Sequence, residues 1–319
     1  MTPARPADRS DGTDPTDAAG PWRHRMVRAN GVTLHVVEAG TGPLVLLLHG
    51  FAQLWWTWRT TLVDVADAGW HAVAVDLRGV GGSDKPPRGY DALTMADDVA
   101  GVVTALGERN AIVVVHDMGG VLAWTMAARH PRLVGAVVTV GSAHPLRLRQ
   151  AVVTGRRDHH GLTQRRAAAP VLTTFQLPRR PERLLRDPRY VAALFDRWSG
   201  ENWRTSLEYP GAVANYAAAL QRPGAAHCTL EAFRWLVRSV PRPDGRRFAT
   251  TVAKPVTTPV LQLHGEDDRC ILAATAAGSG RYVNADYEWR PLPRVGHFPQ
   301  DEVPELVSGE IIRWAKLCH

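Results

Sequence analysis

The sequence predicts an α/β protein: a doubly wound, mostly parallel sheet with a helical segment inserted between two of its strands. Short apolar runs recur and alternate with helical patterns, which is the rhythm of strand–helix–strand units with right-handed crossovers. The runs at Leu44–Leu48 and at residues 111–115 are unbroken rather than alternating, as strands buried on both faces require. After Pro145 the rhythm stops for roughly a hundred residues rich in Arg, Pro and Trp, then resumes at Val260.

The elements follow in order. Residues 26–28 and 33–38 are two short strands joined at Asn30-Gly31, a strong hairpin signal because both turn residues tolerate positive φ. The buried run Leu44–Leu48 ends in His49-Gly50-Phe51. Residues 72–75 lead into the glycine-rich stretch Asp76 to Asp84, whose glycine order does not fit a dinucleotide fingerprint. A helix over residues 94–106 places Met95, Val99, Val102, Val103 and Leu106 on one face, with Asp97 and Asp98 near its positive end. Strands at residues 111–115 and 136–140 bracket a helix over residues 120–130. Strands at residues 260–263 and 287–291 and a helix at residues 306–317 close the chain. The expected division is a disordered tail over residues 1–20, a core formed by residues 21–145 and 252–319, and a helical cap over residues 146–251.

Composition narrows the class. With 45% apolar and 22% charged residues, the 319-residue chain has the balance of a soluble globular protein. No apolar run approaches the roughly 20 residues that span a bilayer, so no membrane insertion is expected. The first twenty residues lack the apolar core of a signal peptide. Three widely spaced cysteines, Cys228, Cys270 and Cys318, fit a reduced, cytoplasmic setting. The formal charge of +7 and the arginine-rich stretch from Arg156 to Arg189 read as a solvated face, since no nucleic-acid module accompanies them. Asp158-His159-His160 has no spaced partner set for a metal, and neither metal nor cofactor is expected.

The chemistry concentrates at three places. Residues 112–117 form a buried strand that ends on Asp117 and passes without a linker into a helix opening with Met118-Gly119-Gly120. A sharp strand-to-helix turn of this kind exposes one side chain at the sheet's carboxyl edge, beside free N–H groups and a positive helix end. A helix-capping role for Asp117 is the alternative. Glu266, Asp267 and Asp268 lie just beyond a later strand, and His297 lies in a loop after the last strand. Nucleophile, acid and histidine follow in that order, with His297 as base on water and the acid fixing its tautomer. A carboxylate nucleophile forms an ester with an alkyl carbon, so the oxyanion of the second step develops on Asp117 itself. The backbone N–H groups of Phe51 and Met118 stand where they can receive it.

At these residues the sequence resembles the epoxide hydrolases of the α/β-hydrolase fold, in particular those of actinobacterial type. The resemblance is carried by His49-Gly50-Phe51, Trp55-Trp56-Thr57-Trp58-Arg59, Asp76-Leu77-Arg78-Gly79, Gly82-Ser83-Asp84-Lys85-Pro86, His116-Asp117-Met118-Gly119-Gly120 and Gly296-His297-Phe298. It runs from about Pro21 to the C-terminus and weakens in the insertion. It implies an α/β-hydrolase fold, Asp117 as nucleophile, His297 as base, and Asp268 as orienting acid, with Asp267 the alternative. It also implies that a small-molecule epoxide and water are the reactants and a vicinal diol the product.

Three departures from the family's pattern follow. Val115 stands where a glycine is usual, two residues before the nucleophile, and Ala52 stands where a proline is usual in the His49-Gly50 loop. Two lid tyrosines usually protonate the opening ring; the matching positions here hold Thr174, ahead of Phe175-Gln176, and Phe233, ahead of Arg234. Tyr216 and Tyr209 are therefore the substitute donors expected, ahead of Tyr190, His159, His160 and His227, and Trp55 and Phe175 are expected to line the pocket. Two alternatives share the fold. A hydrolytic haloalkane-type dehalogenase needs halide donors where Met118 and Phe51 stand. A non-catalytic ligand-binding protein is motivated by the missing tyrosines. A serine esterase is disfavoured because the chain has no G-x-S-x-G.

Overall fold

The computed structural model describes residues 15–155, 157–158 and 161–319. Eight strands form one sheet: β1 (Arg23–Ala29), β2 (Val32–Ala39), β3 (Leu44–Leu48), β4 (His71–Val75), β5 (Ala111–His116), β6 (Val134–Val140), β7 (Val260–Gly265) and β8 (Tyr287–Leu292). Their spatial order is β1-β2-β4-β3-β5-β6-β7-β8. The first hairpin is antiparallel and joins β4 antiparallel, and every pairing from β4 to β8 is parallel. All five residues of β3 and all six of β5 are buried, as their unbroken apolar runs require. Asn30 and Gly31 turn the first hairpin with φ of 46° and 78°.

Three helices flank the central strands: α1 (Arg59–Asp67), α2 (Ala92–Ala105) and α3 (Met118–Arg129). Asp91 caps α2, accepting from Thr94 N at 2.9 Å. Asp97 and Asp98, expected to serve the helix dipole, are held by cations instead. Asp98 is buried against Arg78 with contacts of 2.6 and 2.7 Å, and Asp97 accepts from Arg129 and His130. The Arg78 pair ties the loop after β4 to α2.

Between β6 and β7 the described residues form a run of helices, including Pro145–Thr154, Pro188–Trp198, Tyr209–Ala219, Ala225–Arg238 and Pro243–Val252, with no strand among them. Their apolar faces pack over the carboxyl edge of the sheet: Phe175, Trp198 and Phe233 all touch Phe51, which follows β3. A final helix, Pro304–Cys318, packs on α1. Of the stretch expected as a tail, residues 1–14 lie outside the described residues, and Pro15–Asp17 forms a helical turn in which Pro15 and Thr16 are buried. Trp55 Nε1 donates to the Thr16 carbonyl at 2.9 Å and so fastens that turn. No helix among the described residues is long and apolar enough to cross a membrane.

Candidate active site

Four parallel strands deliver their following loops to one edge of the sheet. β3 supplies Phe51, β5 supplies Asp117, β7 supplies Asp268, and β8 supplies His297. Asp117 carries the strain of the turn, with φ 44° and ψ −108°, and α3 starts at the next residue. Its side chain makes no capping bond to α3, so the capping alternative does not hold. The turn closes because two neighbours lack side chains. A Cβ on Gly120 would lie 1.8 Å from Ser142 Oγ, the hydroxyl that donates to the Asp117 carbonyl at 3.0 Å. A Cβ on Gly50 would lie 2.7 Å from Asp117 Cβ. Val115 is accommodated because it is still inside β5, paired with Leu48 and Thr139, and the positive φ falls two residues later.

Asp117 Oδ2 accepts from Phe51 N at 3.0 Å, and the backbone N–H of Met118 favours the charged carboxylate. Asp117 Oδ1 lies 3.9 Å from His297 Nε2. On the other side of the ring, His297 Nδ1 meets Asp268 Oδ2 at 2.8 Å. Asp268 is the acid that reaches the histidine; of Asp267, it is the backbone N–H that is anchored, to Val295 O at 2.9 Å. Asp268 is locked in turn: Oδ1 accepts from the backbone of Cys270 at 2.7 Å and Ile271 at 2.9 Å, while His264 Nε2 lies 3.3 Å from Oδ2.

The electrostatics are those of a buried charge chain. Burial resists ionisation of Asp268, but His297 and His264 hold its carboxyl well below the usual carboxylate range. Burial likewise opposes charge on His297, and the neighbouring Asp268 and Cys270 outweigh it, so the imidazole stays protonated well above its ordinary value. Burial raises the Asp117 carboxyl, against the pull of His297 and the two backbone N–H donors.

Around this chain stands an aromatic wall. The Phe51 ring lies 5.2 Å from Phe175, 5.0 Å from Phe233 and 6.1 Å from Trp198, and Trp198 lies 5.8 Å from His297. Trp198 is 3% exposed, and its indole N–H has no hydrogen-bond partner in the structure. Phe175 thus lies beside Phe51. Trp55 is not in the pocket: it is fully buried against Trp22, His24 and the Thr16 turn, on the side of the sheet occupied by the first hairpin. The open space beside the elbow, lined by His49, Phe51, Tyr90, Met118, Cys228 and Phe233, is about 30 Å³. On that measure there is room for a water or two.

The expected donors sit elsewhere or outside the described residues. The Tyr216 hydroxyl is fully buried and donates to Asp301, 2.9 and 2.8 Å from its two oxygens; burial and that carboxylate push its pKa well above normal. Asp301 also accepts from Gln53, Thr57 and Arg59, so Tyr216 belongs to a network joining the lid to the loop after His297. Tyr209 packs edge-on against Trp203, and burial pushes its hydroxyl up to about 12. His227 pairs with Glu182 at 3.2 Å, and Tyr190 is partly buried in the lid. His159 and His160 lie outside the described residues. At the other departure, Ala52 has φ of 60°, a value closed to proline, so the loop takes a path there that the usual residue cannot follow.

Two residues of the site were not singled out by sequence. Glu302 is buried under the histidine loop, where Oε2 accepts from Gly296 N at 2.7 Å and from Gly200 N at 3.1 Å, and Oε1 accepts from Phe298 N at 3.2 Å. It clips the lid to the residues on both sides of His297, and His297 N adds a bond to Trp198 O at 2.9 Å. Burial raises Glu302 to about 7 against those bonds. The other is Cys270, whose sulfur, an oxygen of Asp117 and a nitrogen of His297 all lie within 4.8 Å of one another. The only sequence signal for either was closeness to Asp268 or His297.

The alpha/beta hydrolase fold family matches residues 43–304. The AB hydrolase superfamily protein YfhM of Bacillus subtilis (strain 168) is 31% identical over 300 residues, covering 92% of this chain and 97% of that protein. Epoxide hydrolase 3 of Xenopus tropicalis is 31% identical over 308 residues, covering 93% of this chain and 78% of that protein. The crystal structure of epoxide hydrolase A from Mycobacterium thermoresistibile superposes with a TM-score of 0.75 at 24% identity, over 92% of this chain and 98% of that one, a likeness of fold. With its eight-stranded sheet, its inserted helices and a match across most of its length, this chain belongs to the alpha/beta hydrolase fold family.

Proposed function

We propose that this protein is an epoxide hydrolase that opens its substrate to a vicinal diol through an alkyl ester on Asp117. The observation that carries the reading is the disposition of the Asp117 carboxylate: Oδ2 is held by the Phe51 N–H at 3.0 Å, while Oδ1 faces His297 Nε2 at 3.9 Å. The likeness to Epoxide hydrolase 3 of Xenopus tropicalis across 93% of this chain supports the choice of electrophile. Residues 21–145 and 252–319 then form the catalytic unit and residues 146–251 its lid, with Phe175 part of the pocket wall.

In the first half, Oδ1 attacks an epoxide carbon and the carbon–oxygen bond of the ring breaks. The departing alkoxide needs one proton, and the His297 imidazolium holds one; passing it through a water leaves a neutral imidazole. Trp198, with its unpartnered indole N–H beside Phe51 and His297, is the lid group we assign to holding the substrate oxygen. In the second half, neutral His297 takes a proton from water, which attacks the ester carbon of Asp117. Charge then develops on Oδ2, which the Phe51 N–H already holds, with the Met118 N–H beside the same carboxylate as the second expected donor. Asp268 stabilises the imidazolium that forms and keeps Nδ1 protonated. The dehalogenase alternative lacks donors at the two expected places, because the Phe51 and Met118 side chains offer no N–H to a halide.

The test is incubation of the folded protein with styrene oxide and a panel of aliphatic epoxides. Diol is expected from the wild type and none from Asp117→Asn. No diol from any epoxide, with the fold intact, removes the reading.

A further inference from the structure

We propose that Asp117, Cys270 and His297 form a binding site for a thiophilic divalent cation such as Zn²⁺, and that the bound ion switches the hydrolase off. The second clause rests on the function proposed above, and the first stands without it.

The ligand set is mixed and compact. A carboxylate oxygen, a thiol sulfur and an imidazole nitrogen lie within 4.8 Å of one another. Sulfur, nitrogen and oxygen donors around a tetrahedral zinc stand about 3.3–3.6 Å apart, given bond lengths of about 2.0–2.3 Å. The Asp117–His297 separation is 3.9 Å, so the pair must close by about 0.6 Å. Side-chain rotation can supply that, because the Phe51 N–H holds the other oxygen, Oδ2, and Oδ1 already faces His297. A thiolate and an imidazole favour Zn²⁺, Cd²⁺ or Co²⁺ over Mg²⁺ and Ca²⁺, which prefer sets made of oxygen.

The surroundings are those of a built site. His297 turns Nε2 towards the cluster because Nδ1 is engaged by Asp268 at 2.8 Å, the carboxylate–histidine–metal arrangement that fixes the tautomer and raises ligand basicity. Cys270 is pinned by its backbone: its N–H donates to Asp268 Oδ1 at 2.7 Å, and its carbonyl accepts from Gln164 Nε2 at 2.9 Å. Only the thiol is left to move. Three protein ligands would leave one tetrahedral position for water. The protons balance simply: the imidazolium and the thiol each release one to the buffer, and Asp117 binds as the carboxylate. In the bound state the attacking oxygen and the base nitrogen are both coordinated, so neither step of ester chemistry can run.

Titration of the full chain with Co²⁺ tests binding without any substrate. One ion per chain is expected, with a thiolate-to-cobalt charge-transfer band that Zn²⁺ abolishes by displacement. Cys270→Ser should lose the band and weaken binding by about 100-fold. Cys270→Ala is the second variant, a melting curve confirms that each is folded, and Cys228→Ser with Cys318→Ser controls for the other thiols. Separately, Zn²⁺ should inhibit styrene oxide hydrolysis by the wild type, with recovery on adding EDTA. Co²⁺ binding without a thiolate band, unchanged affinity in a folded Cys270 variant, or no binding at all overturns the metal site. Binding without any epoxide turnover would instead count against the function proposed above and leave the metal site standing; hydrolysis that persists with the ion bound overturns the switch.

Discussion

Replacing Glu302 by glutamine should change how stability depends on pH, in a direction and size that follow from burial. The Glu302 carboxyl is enclosed under the histidine loop, and burial raises it from 4.5 to about 7 in the folded protein. In the unfolded chain it titrates near the ordinary glutamate value. Between those two values the folded protein holds a proton that the unfolded chain has released. Stability from this group is therefore fully present below about pH 4.5 and is lost as pH rises towards 7. A shift of about 2.5 units at 1.36 kcal/mol each gives a loss of about 3 kcal/mol across the window. Glutamine cannot titrate, so the wild type should lose about 3 kcal/mol relative to Glu302→Gln between pH 4.5 and 7. The amide also turns an N–H towards Gly200 and Gly296 N–H or Phe298 N–H; that cost, about 1–3 kcal/mol, does not vary with pH and cancels from the comparison of slopes. Urea denaturation of both proteins at several pH values measures the difference directly. Parallel curves, with the same gap at every pH, would refute the reasoning.

Three further substitutions separate structural from chemical roles. Tyr216→Phe removes a buried donor to Asp301, so it should lower stability by about 1–3 kcal/mol in urea melts while kcat stays within a fewfold of wild type; a loss of several hundredfold in kcat with stability unchanged would return Tyr216 to the chemistry. Trp198→Phe keeps an aromatic ring, though a smaller one, and deletes the unpartnered N–H, so kcat/KM for styrene oxide should fall by about 10–100-fold in protein that a melting curve shows to be folded. An unchanged kcat/KM would free Trp198 from the substrate oxygen. Asp268→Asn removes the charge opposite His297, and turnover should drop by about a thousandfold or more; a loss below tenfold would contradict the orienting role.

The strands were legible because burial on both faces leaves an unbroken apolar run, visible in β3 and β5 without any tertiary information. Asp117 was legible for a related reason: strand end, strained residue and helix start are contiguous, so one local segment encodes the turn. His297 and Asp268 came from their places after later strands and from resemblance, and the two side chains do meet. The lid was not legible in the same way. Tyr216 looked available until its partner Asp301, 85 positions away, took up the hydroxyl. Trp55 follows the Phe51 loop in sequence yet turns to the opposite side, where Trp22, His24 and the Thr16 turn enclose it. Both errors concern the direction of a side chain, which packing between distant segments decides. Val115 and Ala52 depart from the family's pattern in sequence, but only the backbone angles show that the first costs the turn nothing and the second alters the loop.

The central claim is that Asp117 becomes alkylated and that His297 is needed only to release it. His297→Gln, mixed with styrene oxide and analysed by mass spectrometry, should gain the mass of one epoxide, located on the peptide containing Asp117, while diol formation stalls after a single event per chain. Steady diol production by His297→Gln, or an adduct that forms equally in Asp117→Asn, would contradict it.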